Sequence, residues 1–287
     1  MKTNRRNFLK GIGGLAATSA LGGCASSKYG FNCGCGRTKV AAQLYSIHKI
    51  FWKKPAWCLA GLKAAGFDGV EFAGYANHTA KEIRALLGDA GMLGMGTHVN
   101  GFVDLKGDGL KKTLNFCAEA GFDTVTTPHA LCKTEAEYRQ FGQDMSLAAE
   151  EAAPYGIKVG VHTTYDHFRV KFNGVWAWDV LFAEASPLLQ QQVDTSNAFN
   201  VIGAELIPLL RKYRGRHYSV HFKENVPSKT ARLGERPTDG APCVPWREVL
   251  DTLSAEDVAW HVIEAETVPD SLEPLADSLK FLKGLEA

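Results

Sequence analysis

The sequence has no excess of charge of either sign. Its 287 residues carry 32 Lys and Arg against 31 Asp and Glu, so the net charge is +1 with neutral histidines. Proteins that follow a nucleic-acid backbone normally show a marked basic excess, so this balance argues against an extended nucleic-acid surface. Apolar residues make up 45% of the chain and charged residues 22%. These ordinary fractions allow a sizeable globular core.

A hydrophobic run long enough to span a membrane is missing from the N-terminus. The apolar stretch at residues 11–23 is short and rich in glycine, whereas a transmembrane helix needs about 20 apolar residues. This stretch follows Arg5 and Arg6. Twin arginines before a mild apolar stretch resemble a twin-arginine export signal. A disordered basic tail is the alternative.

The apolar stretch ends in Leu-Gly-Gly-Cys, which resembles a bacterial lipobox. In that interpretation Cys24 carries a lipid anchor, and simple cleavage near Ala25 is the alternative. We therefore expect residues 1–36 to be a signal and linker, and residues 37–287 to be the folded domain. The protein would be exported, either periplasmic or membrane-anchored through this lipid alone.

Cysteines are few and scattered. Their number, seven, is odd, which argues against a disulfide framework even in an exported chain. Cys58 and Cys117 fall in predicted helices, where small core residues are expected. Cys33 and Cys35 could form a metal pair, but no second such pair accompanies them.

Beyond Arg37, short apolar or β-branched runs alternate with longer amphipathic runs. The pattern predicts eight strands, near residues 39–46, 69–73, 93–99, 123–127, 157–163, 190–194, 217–222 and 259–264. It predicts eight helices, near residues 54–65, 79–90, 108–120, 134–154, 176–185, 199–213, 246–253 and 271–285.

Four of the predicted helices end at a glycine just before the next strand, at Gly66, Gly91, Gly121 and Gly156. A left-handed glycine cap lets a short loop lead into a parallel strand, so the repeat indicates αβ units. Eight such units in about 250 residues predict a single-domain (β/α)₈ TIM barrel. A doubly wound open sheet is the alternative, but the glycine-rich turn that it usually carries after its first strand is missing.

Ionisable or metal-competent side chains end at least seven of the eight predicted strands. In a barrel these ends meet at one face, and alternate residues point inward. The residues selected in this way are Glu71, His98, Asn100, His129, His162, Asp194, His221, Lys223, Glu264 and Glu266. Burying so many charged groups around one axis is costly unless a cation compensates them. Imidazole with carboxylate, without thiolate, predicts one divalent metal ion such as Mn, Zn, Co or Mg.

Four stretches resemble the xylose isomerase-like barrels of the sugar phosphate isomerase or epimerase type. They are residues 66–72 (GFDGVEF), 193–197 (VDTSN), 221–224 (HFKE) and 261–266 (HVIEAE). The resemblance covers residues 38–287 and implies a metal held at the ends of the fifth to eighth strands. The corresponding residues here are His162, Asp194, His221 and Glu264.

His162 departs from the pattern of the ketose 3-epimerases in that family. Those enzymes place Glu at this position and use it, together with the last Glu, as two opposed bases. Relatives with His here carry a second His two residues later, where this chain has Thr164. A symmetric two-glutamate epimerase is therefore not expected.

The resemblance implies proton abstraction next to a sugar carbonyl, leading to isomerisation, epimerisation or β-elimination. We nominate Glu264 or His162 as the base. Lys223 and His98 are nominated as acid or base if the metal occupies those two groups. The residues expected to contact a small carbohydrate substrate are Glu71, Asn100, His129, Glu266 and Trp246.

Several alternatives follow from the predicted export. Phosphorylated sugars are mainly cytoplasmic, so we expect an unphosphorylated sugar or glycoside, and a 3-keto-glycoside lyase is close behind an isomerase. A non-catalytic sugar-binding lipoprotein is a second class. An abasic-site endonuclease, which shares the fold, is disfavoured by the neutral charge and the export signal.

The stretch 224–245 is predicted to cover the substrate, with a solvated excursion as the alternative.

Overall fold

Eight parallel strands close into a barrel, with neighbours in the order in which they occur in the sequence. The computed structural model describes residues 38–224, 232–236, 240–266 and 271–285. The strands are β1 (Lys39–Gln43), β2 (Gly69–Phe72), β3 (Leu93–His98), β4 (Thr124–Thr127), β5 (Lys158–His162), β6 (Gln190–Asp194), β7 (Ser219–Phe222) and β8 (Trp260–Ile263). The predicted TIM barrel and its eight strands are confirmed. The predicted signal segment, with Cys24, Cys33 and Cys35, lies outside the described residues.

Helices follow the strands and cover the outside of the barrel. The longer ones are Pro55–Ala65, Ala80–Ala90, Gly107–Ala120, Glu135–Ala152, Ala177–Phe182, Thr195–Ile202, Leu206–Lys212, Trp246–Ser254 and Glu273–Gly284. The four predicted glycine caps all have positive φ, between 61° and 101°. Cys58 and Cys117 are buried, as predicted. No helix in the described ranges is both long and apolar enough to cross a membrane.

Two of the predicted helices differ from the structure. The helix predicted at 199–213 begins earlier, at Thr195, and is divided into two by a short 3-10 turn at Gly203–Glu205. The Asp194 side chain caps its first turn, because its Oδ1 accepts a hydrogen bond from Asn197 N at 2.8 Å. The helix predicted at 176–185 is shorter than expected and follows a two-stranded hairpin at residues 171–176.

A small apolar cluster fills one end of the barrel interior. It contains Trp260 and Val262 of β8 together with Ala41 and Met95. The Trp260 indole donates to Asp123 Oδ2 at 3.1 Å, so its polar atom has a partner. At Gly69 an added Cβ would lie 2.9 Å from the Trp260 ring. This plug closes one end, and polar side chains occupy the other.

The strand register brings the polar side chains together at the carboxyl ends. Gln43 of β1 pairs with Glu71 of β2. Asp194 of β6 pairs with His221 of β7. Since inward-facing residues of neighbouring strands then lie side by side, the barrel places these four groups around one axis.

Gly142 should be required by helix packing. A Cβ at this position, in the helix Glu135–Ala152, would lie 2.1 Å from the backbone oxygen of Leu181. We expect Gly142→Ala to destabilise the fold by about 1–3 kcal/mol, because the two helices must move apart. Chemical denaturation measures the free energy of unfolding.

Gly88 is the matched control, because it lies in the helix Ala80–Ala90 with nothing within 4 Å of an added Cβ. Gly88→Ala should stabilise the fold by about 0.5–1 kcal/mol through helix propensity alone. Equal effects of the two substitutions would contradict the close approach at Gly142.

Candidate functional site

Glu71 is a fully buried carboxylate at the end of β2. Its Oε2 accepts from Gln43 Nε2 at 2.7 Å and lies 2.6 Å from His221 Nε2, while its Oε1 accepts from Gln192 Nε2 at 2.7 Å. Burial alone would raise the pKa of this carboxyl, but the neighbouring His98 and His221 hold it well below its usual range. Glu71 is therefore ionised and accepts hydrogen bonds from three strands.

His221 lies between two carboxylates. Its Nε2 faces Glu71, and its Nδ1 lies 2.7 Å from Glu264 Oε2. Burial works to lower the pKa of His221, but the Glu71 charge and the hydrogen bonds to both carboxylates raise it to about 10. The imidazole is thus protonated in this arrangement and donates through both nitrogens.

Gln192 sets the tautomers of two histidines. Its Nε2 must point to Glu71 and Ser219, because an ionised carboxylate only accepts. Its Oε1 therefore accepts from His98 Nε2 at 2.8 Å and from His162 Nδ1 at 2.9 Å. Burial, with the neighbouring His221 and His98, holds the pKa of His162 well below its usual range. Neutral His162 consequently carries its lone pair on Nε2.

Asp194 ends β6 with one oxygen used and one unused. Oδ1 caps the following helix, whereas Oδ2 is buried and has no hydrogen-bond donor. His162 Nε2 and Lys223 Nζ each lie 3.7 Å from Oδ2. Burial raises the pKa of the Asp194 carboxyl, although Lys223 acts against this. A buried carboxylate oxygen without a donor is costly unless a cation approaches it.

Lys223 provides a cation beside these carboxylates. Its Nζ lies 3.2 Å from Glu264 Oε1, 3.7 Å from Asp194 Oδ2 and 2.7 Å from Glu266 Oε2. Burial lowers the pKa of Lys223, but the carboxylates of Glu264, Asp194 and Glu266 outweigh it and raise the pKa overall. Burial raises the pKa of Glu264 as well, but Lys223 and His221 hold it well below its usual range.

A metal ion fits the donor set that results. One ligand atom from each of Asp194, His221 and Glu264 lies within 4.8 Å of the others, and all three residues are buried. The lone pair of His162 is next to the unused oxygen of Asp194. His221 also has the arrangement of many metal-binding histidines, whose second nitrogen donates to a carboxylate, here that of Glu71. Asp194, His221 and Glu264 thus form one group of three candidate ligand atoms, and His162 forms a second such group with His98 and His221.

A cavity of about 630 Å³ opens above these groups. Of the predicted site residues, it is lined by His98, Asn100, His129, His162, Lys223, Glu264 and Glu266. Glu71 lies beneath the cavity and does not line it. Glu71 contacts His221, Gln43 and Gln192 instead of an open surface. It therefore positions other site residues and does not itself reach the cavity.

Trp246 is also placed away from the cavity. Its indole donates to Glu224 Oε2 at 2.9 Å, and its ring stacks on Phe222 with centroids 5.7 Å apart. Phe222 is the residue after His221 and faces outward from the barrel, so a side chain that stacks on it lies behind β7. The expected contact of Trp246 with substrate is therefore not supported by its position.

The described part of the stretch after β7 packs on the last helix. Leu233 N donates to Ser278 Oγ at 3.1 Å, and Gly234 N donates to Glu224 Oε2 at 2.7 Å. Residues 232–236 and 240–245 do not line the cavity. Residues 225–231 and 237–239 of the predicted covering loop lie outside the described ranges.

Sequence reasoning did not select the two glutamines as site residues. Gln43 and Gln192 are buried and connect Glu71 to its surroundings. Both residues occupy inward-facing positions of β1 and β6, and this position could have indicated a place in the site. Amide side chains were not selected because an amide is neither a preferred metal ligand nor a titratable group.

A family model described as a xylose isomerase-like TIM barrel matches residues 59–285. The chain belongs to this family. A comparison with curated protein sequences gives no match. The family assignment agrees with the closed eight-stranded parallel barrel and with the resemblance in the four sequence stretches.

Solved structures share the barrel at low sequence identity. A sugar phosphate isomerase/epimerase from Parabacteroides distasonis is 16% identical, with a TM-score of 0.73 over 86% of this chain and 96% of that one. A D-allulose 3-epimerase from Methylomonas sp. is 16% identical, with a TM-score of 0.65 over 87% and 98%. The IOLI protein, solved with a zinc atom, is 13% identical, with a TM-score of 0.60 over 86% and 96%. The TM-scores show that these proteins share the fold of this chain.

Glu71→Gln should lower the pKa of His221 from about 10, because Glu71 is the strongest charge that raises it. We expect a fall of about 1–3 pH units and a loss of stability of about 3–5 kcal/mol at neutral pH. In the wild type, the ion pair of protonated His221 with Glu71 contributes its full stability below about pH 6.5, which is the pKa of a histidine in the unfolded chain. That contribution is lost as the pH rises towards 10.

The measurements are an NMR titration of the His221 ring and denaturation from pH 6 to 10, both with chelator present. The variant should show a smaller stability decrease over this interval than the wild type, because its His221 pKa lies closer to the unfolded value. His48→Gln, which changes an exposed histidine, serves as the control. A His221 pKa that is the same in Glu71→Gln and wild type would contradict the proposed ion pair.

Proposed function

We propose that this protein is a metal-dependent isomerase or epimerase of an unphosphorylated sugar, acting by proton abstraction next to a carbonyl. The observation that carries the proposal is the unused, buried Oδ2 of Asp194 beside the lone pair of His162 and close to His221 and Glu264. The names of the structural neighbours, two of them isomerases or epimerases and one solved with zinc, support the same class.

The four residues that would hold the metal are His162, Asp194, His221 and Glu264. The donors are two imidazole nitrogens and two carboxylates, a set that suits Mn, Zn, Co or Mg. His221 must give up the proton that it shares with Glu264 before its Nδ1 can bind a cation. A bound divalent ion would supply Lewis acidity at the carbonyl oxygen of the substrate.

Two further groups line the cavity and are suited to proton transfer. His98 donates through Nε2 to Gln192, which leaves its Nδ1 as the ring nitrogen that could exchange a proton with a substrate. Its ring is stacked on that of His221, with centroids 5.5 Å apart. The Lys223 ammonium, held by Glu264 and Glu266, can donate to a substrate oxygen that develops negative charge. Glu264 or His162 would act as the base if released from the metal.

A 3-keto-glycoside lyase is the second candidate on the same groups. A base takes the proton from C2, the electron pair of that C–H bond forms the C1–C2 double bond, and the C1–O bond breaks. Lys223 or His98 would return a proton to the departing oxygen. The cavity volume of about 630 Å³, which leaves room beyond one sugar ring, favours a glycoside.

Export through the twin-arginine pathway belongs to the same proposal. An exported enzyme would meet unphosphorylated sugars, and lipidation of Cys24 would attach it to a membrane. A non-catalytic sugar-binding protein is the remaining class, and metal dependence distinguishes it from both enzymes.

Asp194→Asn should abolish tight metal binding with little loss of fold. The amide oxygen can still accept from Asn197 and keep the helix cap, but the charged ligand oxygen is lost. We expect the wild type to gain about 2.7 kcal/mol of stability at a metal concentration of 100 times Kd, and the variant to gain much less. Metal content after dialysis and melting temperatures with Mn, Co or Zn are the measurements.

Asp108→Asn changes an exposed carboxylate in the first turn of Gly107–Ala120 and is the matched control. It should retain the metal content and the metal-induced stabilisation of the wild type. If Asp194→Asn and His221→Ala both bind metal as the wild type does, the proposed ligand set is wrong.

Proton exchange tests the chemistry itself. In deuterated water the metal-loaded protein should exchange the hydrogen next to the carbonyl of a keto-sugar or 3-keto-glycoside, as observed by NMR. His221→Ala should abolish the exchange, since it removes both a ligand and the partner of Glu71. If a panel of such compounds shows no exchange with Mn, Co and Zn alike, both enzyme proposals fail and the binding-protein class remains.

A further inference from the structure

The cavity above the candidate ligands has ionisable side chains on both sides of the barrel and exposed apolar side chains on one side. The ionisable groups are His162, Lys223, Glu264 and Glu266 on or after β5 to β8, and His98, Asp104 and His129 on or after β3 and β4. Three of the loops that follow β1 to β4 contribute exposed apolar side chains. Those side chains are Tyr45, Phe102 and Leu131, which are 48%, 38% and 75% exposed. Apolar groups from separate loops that converge on one cavity are typical of a ligand site.

In the turn after β3, polar groups form hydrogen bonds with one another, and the Phe102 side chain is exposed. Asn100 Oδ1 accepts from Phe102 N at 3.0 Å, and Asp104 Oδ2 accepts from Asn100 N at 2.9 Å. The Phe102 ring packs on Phe141, with centroids 4.8 Å apart. The Asn100 oxygen and one Asp104 oxygen are thus engaged in the turn, and its tip offers mainly an aromatic surface.

The turn is also tied to the barrel. Gly101 N donates to Thr127 Oγ1 at 3.2 Å, and an added Cβ on Gly101 would lie 2.7 Å from that oxygen. Only glycine allows this approach of the turn to the end of β4. The position of Phe102 is therefore fixed before any ligand arrives.

Tyr45 is held in a comparable way at the end of β1. Its backbone N donates to Gln43 Oε1 at 3.0 Å, and the same glutamine donates to Glu71. The Tyr45 ring is stacked on His48, with centroids 4.8 Å apart and planes 21° from parallel. Gln43 thus connects the Tyr45 backbone to the buried charge network, and His48 supports the Tyr45 ring in the cavity wall.

We propose that Tyr45, Phe102 and Leu131 form a subsite for an aromatic aglycone, with the sugar ring over His162, Lys223 and Glu264. This inference rests on the proposed sugar chemistry and specifies its substrate as an aryl glycoside. A second sugar would need hydrogen-bond partners for its hydroxyls. Leu131 cannot provide them, and in the turn at Phe102 the Asn100 Oδ1 and Asp104 Oδ2 atoms are already hydrogen-bonded. On these three loops the groups that remain for such bonds are chiefly the Tyr45 hydroxyl and the His129 ring. A flat apolar ring can pack against the rings of Tyr45 and Phe102 and against the side chain of Leu131.

The test is calorimetric binding of matched phenyl and methyl β-glycosides of glucose, galactose and xylose, with cellobiose as the two-sugar probe. For at least one sugar, the phenyl compound should bind about tenfold or more tightly, with a more negative heat-capacity change. Phe102→Ala and Tyr45→Ala should each reduce this preference by about three- to tenfold. Val103→Ala is the matched control, because Val103 is 64% exposed next to Phe102 but does not line the cavity.

Three results would overturn the subsite: no binding of any phenyl glycoside, equal binding of phenyl and methyl partners, or an effect of Phe102→Ala no larger than that of Val103→Ala. Tighter binding of cellobiose than of phenyl glucoside would assign the region of Tyr45, Phe102 and Leu131 to a second sugar instead. A preference for phenyl compounds in a protein that binds no metal and exchanges no proton would retain the subsite and reject the enzyme proposals.

Discussion

A single ionised carboxylate, that of Glu71, organises the centre of the molecule. It is fully buried and can only accept, so the groups around it must turn their N–H atoms towards it. Gln43, Gln192 and His221 do so from three different strands. Because the orientation of each amide is then determined, the acceptor oxygens on their far sides are determined too. One buried charge thereby sets donors and acceptors in the layer that faces the cavity.

The orientation of Gln192 decides what the two histidines above it can do. Its oxygen holds the proton of His162 on Nδ1 and leaves a lone pair on Nε2 towards Asp194. Asp194 has an equally divided role, since one oxygen starts a helix and the other has no donor. The barrel brings the other candidate ligands close, because its parallel register sets β6 beside β7 and β7 beside β8. The candidate ligands are thus positioned by backbone pairing and by the hydrogen bonds beneath them.

Much of the fold could be predicted from the sequence, because it depends on short-range periodicity. Inward parity placed His162, Asp194, His221 and Glu264 at strand ends with several other residues, and the family resemblance then assigned these four to a metal. A parallel register brings such residues to one face of the barrel. The break at Gly203 and the hairpin at residues 171–176 were not predicted, since tertiary packing decides them. The position of Trp246 was not predicted either, because it begins the helix Trp246–Ser254 well after β7, and no periodic pattern shows which side of the barrel wall its ring faces.

The function of Glu71 could not be predicted for a different reason. A strand-end carboxylate has the same local pattern whether it faces solvent, a substrate or a buried amide. Glu71 is distinguished by the hydrogen bonds that it accepts from Gln43 and Gln192, which lie 28 and 121 positions away in the chain. Such long-range partners carry no periodic signal, and one sequence alone does not connect them.

The two kinds of side chain that line the cavity have a consequence for how this barrel can change over time. His162, Lys223 and Glu264 are tied to buried partners, so most substitutions there would leave a charge or a donor unsatisfied. Tyr45, Phe102 and Leu131 instead project their side chains from exposed loops, where replacement disturbs few neighbours. New compounds could therefore be accommodated by drift at these loop positions, while selection keeps the reacting groups constant.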